Sequence, residues 1–247
     1  QMLGRGTRLC PDLFAPGEDK KQFLIFDYCQ NLEFFDANPD GYIAKTQESI
    51  KQQIFKRRLQ IASALQNAKP EDDELIELTA TLKDQMHDVV KSFNVDNFIV
   101  RRQRETVEFF NERDRWNELT DRDIANISDR LTGLPSADDD HETARRFDLL
   151  VLNLQVAVLE KSSRQEPYQK AVRAIAENLE DKKAIPVVAE QMELLLELQT
   201  DQWWQDVTLP MLEQVRRKLR DLVRFVDRQT QEEDVFTDFE DELRVDE

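Results

Sequence analysis

Residues Gln1–Arg8 hold the arrangement in this chain with the clearest chemical potential. Gln1-Met2-Leu3-Gly4-Arg5-Gly6-Thr7-Arg8 fits the pattern Q-x-x-G-R-x-x-R. Two arginines three apart at a helical end point the same way. Guanidinium groups present planar forks that match phosphate oxygens and stay charged at physiological pH. Brought across a cleft, such groups stabilise charge on a transferred γ-phosphoryl group, an effect worth roughly 10³–10⁵ in rate. Gly4 and Gly6 allow close backbone approach to a neighbour. The plainer reading is a glycine-containing turn with two surface arginines.

The elements that must position this motif follow it. Gln1–Leu9 reads as the end of a helix and Cys10–Gln22 as a Pro/Gly/Asp loop. The short apolar run Phe23–Cys29 reads as a buried strand. Asn38-Pro39-Asp40-Gly41 is a turn signal and marks a domain boundary. The spacing then predicts helices over Thr46–Asn67, from Pro70 to about Phe93, and over Arg104–Asn111 and Asp121–Leu131. The last of these is closed by Gly133 and Pro135. The acidic residues Ser136–Asp140 read as a loop. Phe147–Leu159 is apolar on nearly every side and too short to span a membrane, so it reads as a buried central helix. Helices over Pro167–Leu179 and Pro186–Thr200 follow. A last long helix opens at Thr208-Leu209-Pro210, with Leu212, Val215, Leu219, Leu222, Val223 and Val226 as its apolar stripe.

Composition sets limits on function. The 247 residues carry a formal net charge of −17, with 34% charged and 40% hydrophobic residues. Such a chain repels phosphate overall, which disfavours general coating of nucleic acid. Cys10 and Cys29 lack framework spacing and are expected as reduced thiols in a cytoplasmic setting. No signal peptide is visible and residue 1 is Gln, so the natural start is expected upstream.

Against this acidic background, Arg216, Arg217, Lys218, Arg220, Arg224 and Arg228 form a basic cluster on the last helix, read as lying largely away from its apolar stripe. It is either a docking face for a protein or DNA phosphates, or a solvated face paired with the chain's own carboxylates. Arg101, Arg102 and Arg104 beside Phe98, Phe109 and Phe110 form a second basic run with aromatic interleaving, or a helix face at a domain seam. Trp203 and Trp204 read as core packing or as interface anchors. His87 and His141 have no ligand-spaced partner, and no metal site is expected. Residues 231–247 form an acidic tail whose Val235, Phe236 and Phe239 point to docking, onto a partner or back onto this domain.

Gln1–Arg8 resembles motif VI of superfamily 2 helicases and translocases. The longer run QMLGRGTRLCPDLFAPGEDKKQFLIFDYCQNLEFF resembles the end of the second RecA-like motor lobe in the R (restriction, or motor) subunit of type I restriction–modification enzymes. Trp204–Arg228 and Val235–Glu242 are similar to that family's C-terminal region. The resemblance implies a mainly α fold, a multi-helix C-terminal domain preceded by a short α/β remnant of a RecA-like lobe. It divides the chain into residues 1–40 (motor lobe), 41–230 (helical assembly domain) and 231–247 (acidic tail). It implies that Gln1, Gly4, Arg5 and Arg8 contact ATP, with Arg5 or Arg8 as arginine finger. ATP and Mg²⁺ are then cofactors of the intact ATP-dependent endonuclease. Methyltransferase (modification) and specificity subunits are its protein partners, duplex DNA is its track, and no membrane is involved. Arg216, Arg217, Arg220 and Arg224 become candidate partner or DNA contacts. The Walker A loop, the Asp-Glu box and the nuclease cluster are missing here, so no cofactor and no turnover are expected of this chain alone. The alternatives are a non-catalytic helical scaffold, or the C-terminal part of another superfamily 2 DNA translocase.

Overall fold

The computed structural model describes residues 48–136 and 141–226. The chain divides into two compact units, Gln1–Gln47 and Glu48–Glu247. The expected motor-lobe remnant, with its strand and both candidate ATP-contacting arginines, lies outside the described residues, as does the acidic tail. The second unit is mainly helical, with no strand among its described residues.

Its first half is a layer of helices built on α1 (Ile50–Ala68) and α2 (Asp73–Lys91). Ser49 caps α1 by accepting from the Gln52 amide, and Asp72 caps α2 by accepting from the Glu74 amide. Pro70 therefore precedes α2 rather than occupying its first turn. In α1 the buried residues Ile54, Phe55, Leu59, Ile61, Ala62 and Leu65 form the apolar face. Two short helices follow, α3 (Phe98–Arg101) and α4 (Arg104–Phe110), then a 3₁₀ turn at Arg113–Trp116 and α5 (Asp121–Arg130). A capping box between Thr120 and Asp123 starts α5. Trp116 is fully buried, and its indole nitrogen donates to the Phe110 carbonyl at 2.8 Å.

A polar lock ties α1 and α2 to the segment before α5. Lys83 Nζ donates to Gln66 Oε1 at 2.7 Å and to the Asn117 carbonyl at 2.9 Å. Gln66 also exchanges bonds with the Leu119 backbone in both directions. Burial, followed by the nearby Arg113 charge, lowers the Lys83 pKa below the ordinary lysine value.

The second half comprises α6 (Glu142–Leu159), α7 (Gln165–Glu180), α8 (Pro186–Ala189), α9 (Met192–Gln199), α10 (Asp201–Gln205), α11 (Leu209–Leu219) and a 3₁₀ turn at Val223–Phe225. The single helix expected over Pro186–Thr200 is broken at Glu190–Gln191 into α8 and α9. Val188 on α8 and Leu195 on α9 both lie in the second core.

Two hydrophobic cores share α6. Leu152 and Val156, four apart, face the core formed by α1, α2, α4 and α5. Phe147, Val151 and Leu154 face the core formed with α7, α9 and α11. This dual service explains why the α6 sequence is apolar almost all round.

Candidate functional site

Asp148 and Gln155 are the polar exceptions on α6, seven residues apart and both buried. They share one face, and α11 lies across it. Gln155 Nε2 donates to the Leu209 carbonyl at 3.1 Å, at the start of α11. Seven residues further along α11, Arg216 Nη1 donates to Asp148 Oδ1 at 2.8 Å. The two contacts run in opposite chain directions, so they fix α11 antiparallel to α6.

Arg216 is only 4% exposed. It also forms a two-pronged pair with Glu213, through Nε at 2.8 Å and Nη2 at 2.6 Å. Burial opposes its charge, but the bonds and charges of Glu213 and Asp148 outweigh burial and raise its pKa above the ordinary value. Arg220 Nη2 reaches Asp148 Oδ2 at 3.2 Å. Arg58 of α1 faces the same group. Its Nε is buried and has no hydrogen-bond acceptor among the described residues. Burial first, and then the Arg216 charge, lower its pKa to about 10. The three guanidiniums of Arg58, Arg216 and Arg220 thus surround the buried carboxylates of Asp148 and Glu213, and Arg220 also pairs with the exposed Asp221 at 3.6 Å.

This placement corrects the expectation of a solvent-facing basic cluster on one long helix. The helix ends at Leu219, and Arg220 and Arg224 lie beyond it. The 3₁₀ turn that follows lets the adjacent residues Leu222 and Val223 both enter the second core. Arg216 is four residues after Leu212 and three before Leu219, which puts it on the buried face. The exposed Arg217 shares a shallow cleft with Glu74, Glu77 and Glu213. Lys218 shares another with Glu190, Glu193 and Glu197. Arg224 is exposed and stacks 4.8 Å from the Phe225 ring centre. Arg228 lies outside the described residues. The basic cluster is therefore divided among several environments, most of them supplied with the domain's own carboxylates.

The second basic run behaves differently. Phe98 is 69% exposed, Ile99 55% and Phe109 42%, on the adjoining helices α3 and α4. The Arg102 guanidinium lies 4.5 Å from the centre of the Phe98 ring, and Arg115 lies 4.4 Å from that of Phe109. Arg101 is exposed on the same short helix, and Arg104 pairs with Glu108 at 2.6 Å. Phe110, by contrast, is buried against Trp116. Stacked arginines on uncovered aromatic rings are the composition of protein–protein hot spots. Phe98, Ile99 and Arg115 give this corner its outward character, yet the spacing signals that found α4 did not mark α3 as a helix.

Trp204 is buried, its indole nitrogen donating to the Leu198 carbonyl at 2.7 Å. Trp203 packs edge-on against it and is half-buried. His87 bonds the Asn111 carbonyl, and His141 precedes α6 as its N-cap. Among the described residues no group of three or more His, Cys, Asp or Glu side chains could hold a metal ion, and no helix is long and apolar enough to cross a membrane.

Comparison with known proteins returned no match to any family, to any curated protein or to any solved structure.

Proposed function

We propose that this chain is the C-terminal part of the R subunit of a type I restriction–modification enzyme, and that its helical unit docks the motor onto the methyltransferase subunits. The observation that carries this reading is the pairing of two separated sequence resemblances in the family's order, Gln1–Phe35 at the start and Trp204–Arg228 with Val235–Glu242 at the end. In the intact protein, Arg5 and Arg8 contact ATP phosphates, with Mg²⁺ neutralising the same charge, while Gln1 and Gly4 shape the motif.

The helical unit supports a docking role through its exposed corner. Phe98, Ile99 and Phe109 supply apolar area, and Arg102 and Arg115 are already stacked for contact with a partner. Of the basic residues on and after α11, Arg217 and Arg224 remain exposed to a partner or to DNA phosphates. Arg216 and Arg220 act from within by holding α11 in place. The test is assembly. The intact protein is mixed with the modification and specificity subunits of its own system and resolved by size. A stable complex that weakens on Phe98→Ser with Phe109→Ser supports the reading. Failure of the wild-type protein to associate overturns it.

A further inference from the structure

An apolar groove opens between the N-terminal half of α6 and the middle of α7. Phe147 and Leu150 form one wall, and Ala171, Ala174 and Ile175 the other. Ala171 and Ala174, three apart on one helix face, leave a depression where larger side chains would have filled the seam. Leu150, Ala171, Ala174 and Ile175 all remain partly accessible. Arg146 stands among the lining residues, where it pairs with Glu142. The volume is about 220 Å³, below the roughly 300–1,000 Å³ of small-molecule sites. It suits one or two large apolar side chains.

Val226, the last described residue before the acidic segment, is itself part of the groove wall. That following segment, residues 227–247, has ten acidic residues against Arg228 and Arg244, with Val235, Phe236, Phe239 and Leu243 set among them. Phe236, Phe239 and Leu243 recur at i, i+3 and i+7, the spacing of an amphipathic helix. The eight residues between Val226 and Val235 can span up to about 30 Å, at roughly 3.3–3.6 Å each. They reach the groove without strain, and tethering supplies a high effective concentration. The acidic flanks complement the cationic Arg146 at the lining.

We propose that the groove between α6 and α7 is the docking site for the chain's own acidic segment, with Phe236 and Phe239 as its apolar anchors. The groove is then an intramolecular seat, and the segment forms an outer layer on the second core. This holds whether or not the chain belongs to a DNA motor.

The experiment uses the full 247-residue chain with Cys10→Ser and Cys29→Ser, so that no native thiol competes. Ala171→Cys and Phe239→Cys are added together, and disulfide formation is followed in oxidised glutathione. The expected result is an intramolecular disulfide, formed at least about tenfold faster than in a control pair of Phe98→Cys with Phe239→Cys. Adding Phe236→Ser, outside the described core, slows it severalfold. A rate equal to the control, disulfides only between molecules (a second copy in the groove), or indifference to Phe236→Ser overturns the proposal.

Discussion

Arg216 on α11 donates to Asp148 on α6 at 2.8 Å, and neither residue is more than 4% exposed. With Gln155 bonded to the Leu209 carbonyl, this pair sets the direction and register of the last long helix on the central one. A buried pair of this kind is better understood as a register device than as a large source of stability, because desolvation offsets much of the attraction.

Removing one partner should therefore cost far more than replacing both. Asp148→Ala leaves Arg216 and Arg220 without their shared acceptor and is expected to cost about 3–5 kcal/mol. Asp148→Leu combined with Arg216→Met should cost clearly less than the sum of the single changes. Urea unfolding of the wild type, Asp148→Leu, Arg216→Met and the double variant measures the coupling. Additivity within about 0.5 kcal/mol would remove the register role.

Arg58 is the cation of the group whose buried Nε has no acceptor among the described residues. Its folded pKa of about 10 lies below the ordinary arginine value, so the folded state holds its proton less tightly than the unfolded chain. The resulting penalty is complete below about pH 10 and is relieved as pH rises from there towards the ordinary arginine value. Arg58→Met is expected to stabilise the domain by about 1–3 kcal/mol at neutral pH, and the gain should shrink above pH 10. A loss of stability at pH 7 would show that Arg58 has an acceptor that offsets its burial.

Lys83 differs because its ammonium has two acceptors, Gln66 Oε1 and the Asn117 carbonyl. Lys83→Met deprives the Asn117 carbonyl and Gln66 Oε1 of a donor and is expected to cost about 1–3 kcal/mol. Burial lowers its folded pKa, so in the wild-type protein the lysine's penalty is complete below that value. It is relieved as pH rises towards the ordinary 10.5. A thermal melt of the variant at pH 7 checks the loss. An unchanged midpoint would mean that water replaces the ammonium.

The aromatic corner should show the opposite pattern. Phe98→Ser and Phe109→Ser remove exposed rings, so stability should change by no more than about 0.5 kcal/mol. If the corner docks a partner subunit, each change should weaken assembly by about 1–2 kcal/mol or more. Titration of the complex, alongside a denaturation curve of the protein alone, separates the two effects.

Much of the helical unit was legible in the sequence. The helices α1 and α5 and the all-round apolar character of α6 are local signals, and the structure places them close to where their spacing predicts. Residues whose roles depend on a distant neighbour were harder to read. Arg216 occupies an apolar-face position by spacing alone, three residues before Leu219, but its charge pointed outward; only Asp148, on another helix, makes burial tolerable. Asp148 had a signal of its own, a lone carboxylate beside Phe147 in an apolar run. The break at Glu190–Gln191 carries no Gly, Pro or Asn in the sequence to mark it. The proposed ATP contacts Gln1, Gly4, Arg5 and Arg8 lie outside the described residues.

We propose above all that Arg5 and Arg8 belong to the ATP site of an ATP-driven motor that moves DNA. The most direct measurement is DNA-stimulated ATP turnover by the intact protein carrying Arg5→Ala or Arg8→Ala, assembled with its modification and specificity subunits. The account predicts that at least one of the two variants loses about 10³-fold or more in turnover while the complex still forms. Turnover at the wild-type rate in both variants, or turnover by the 247-residue chain alone, would contradict it.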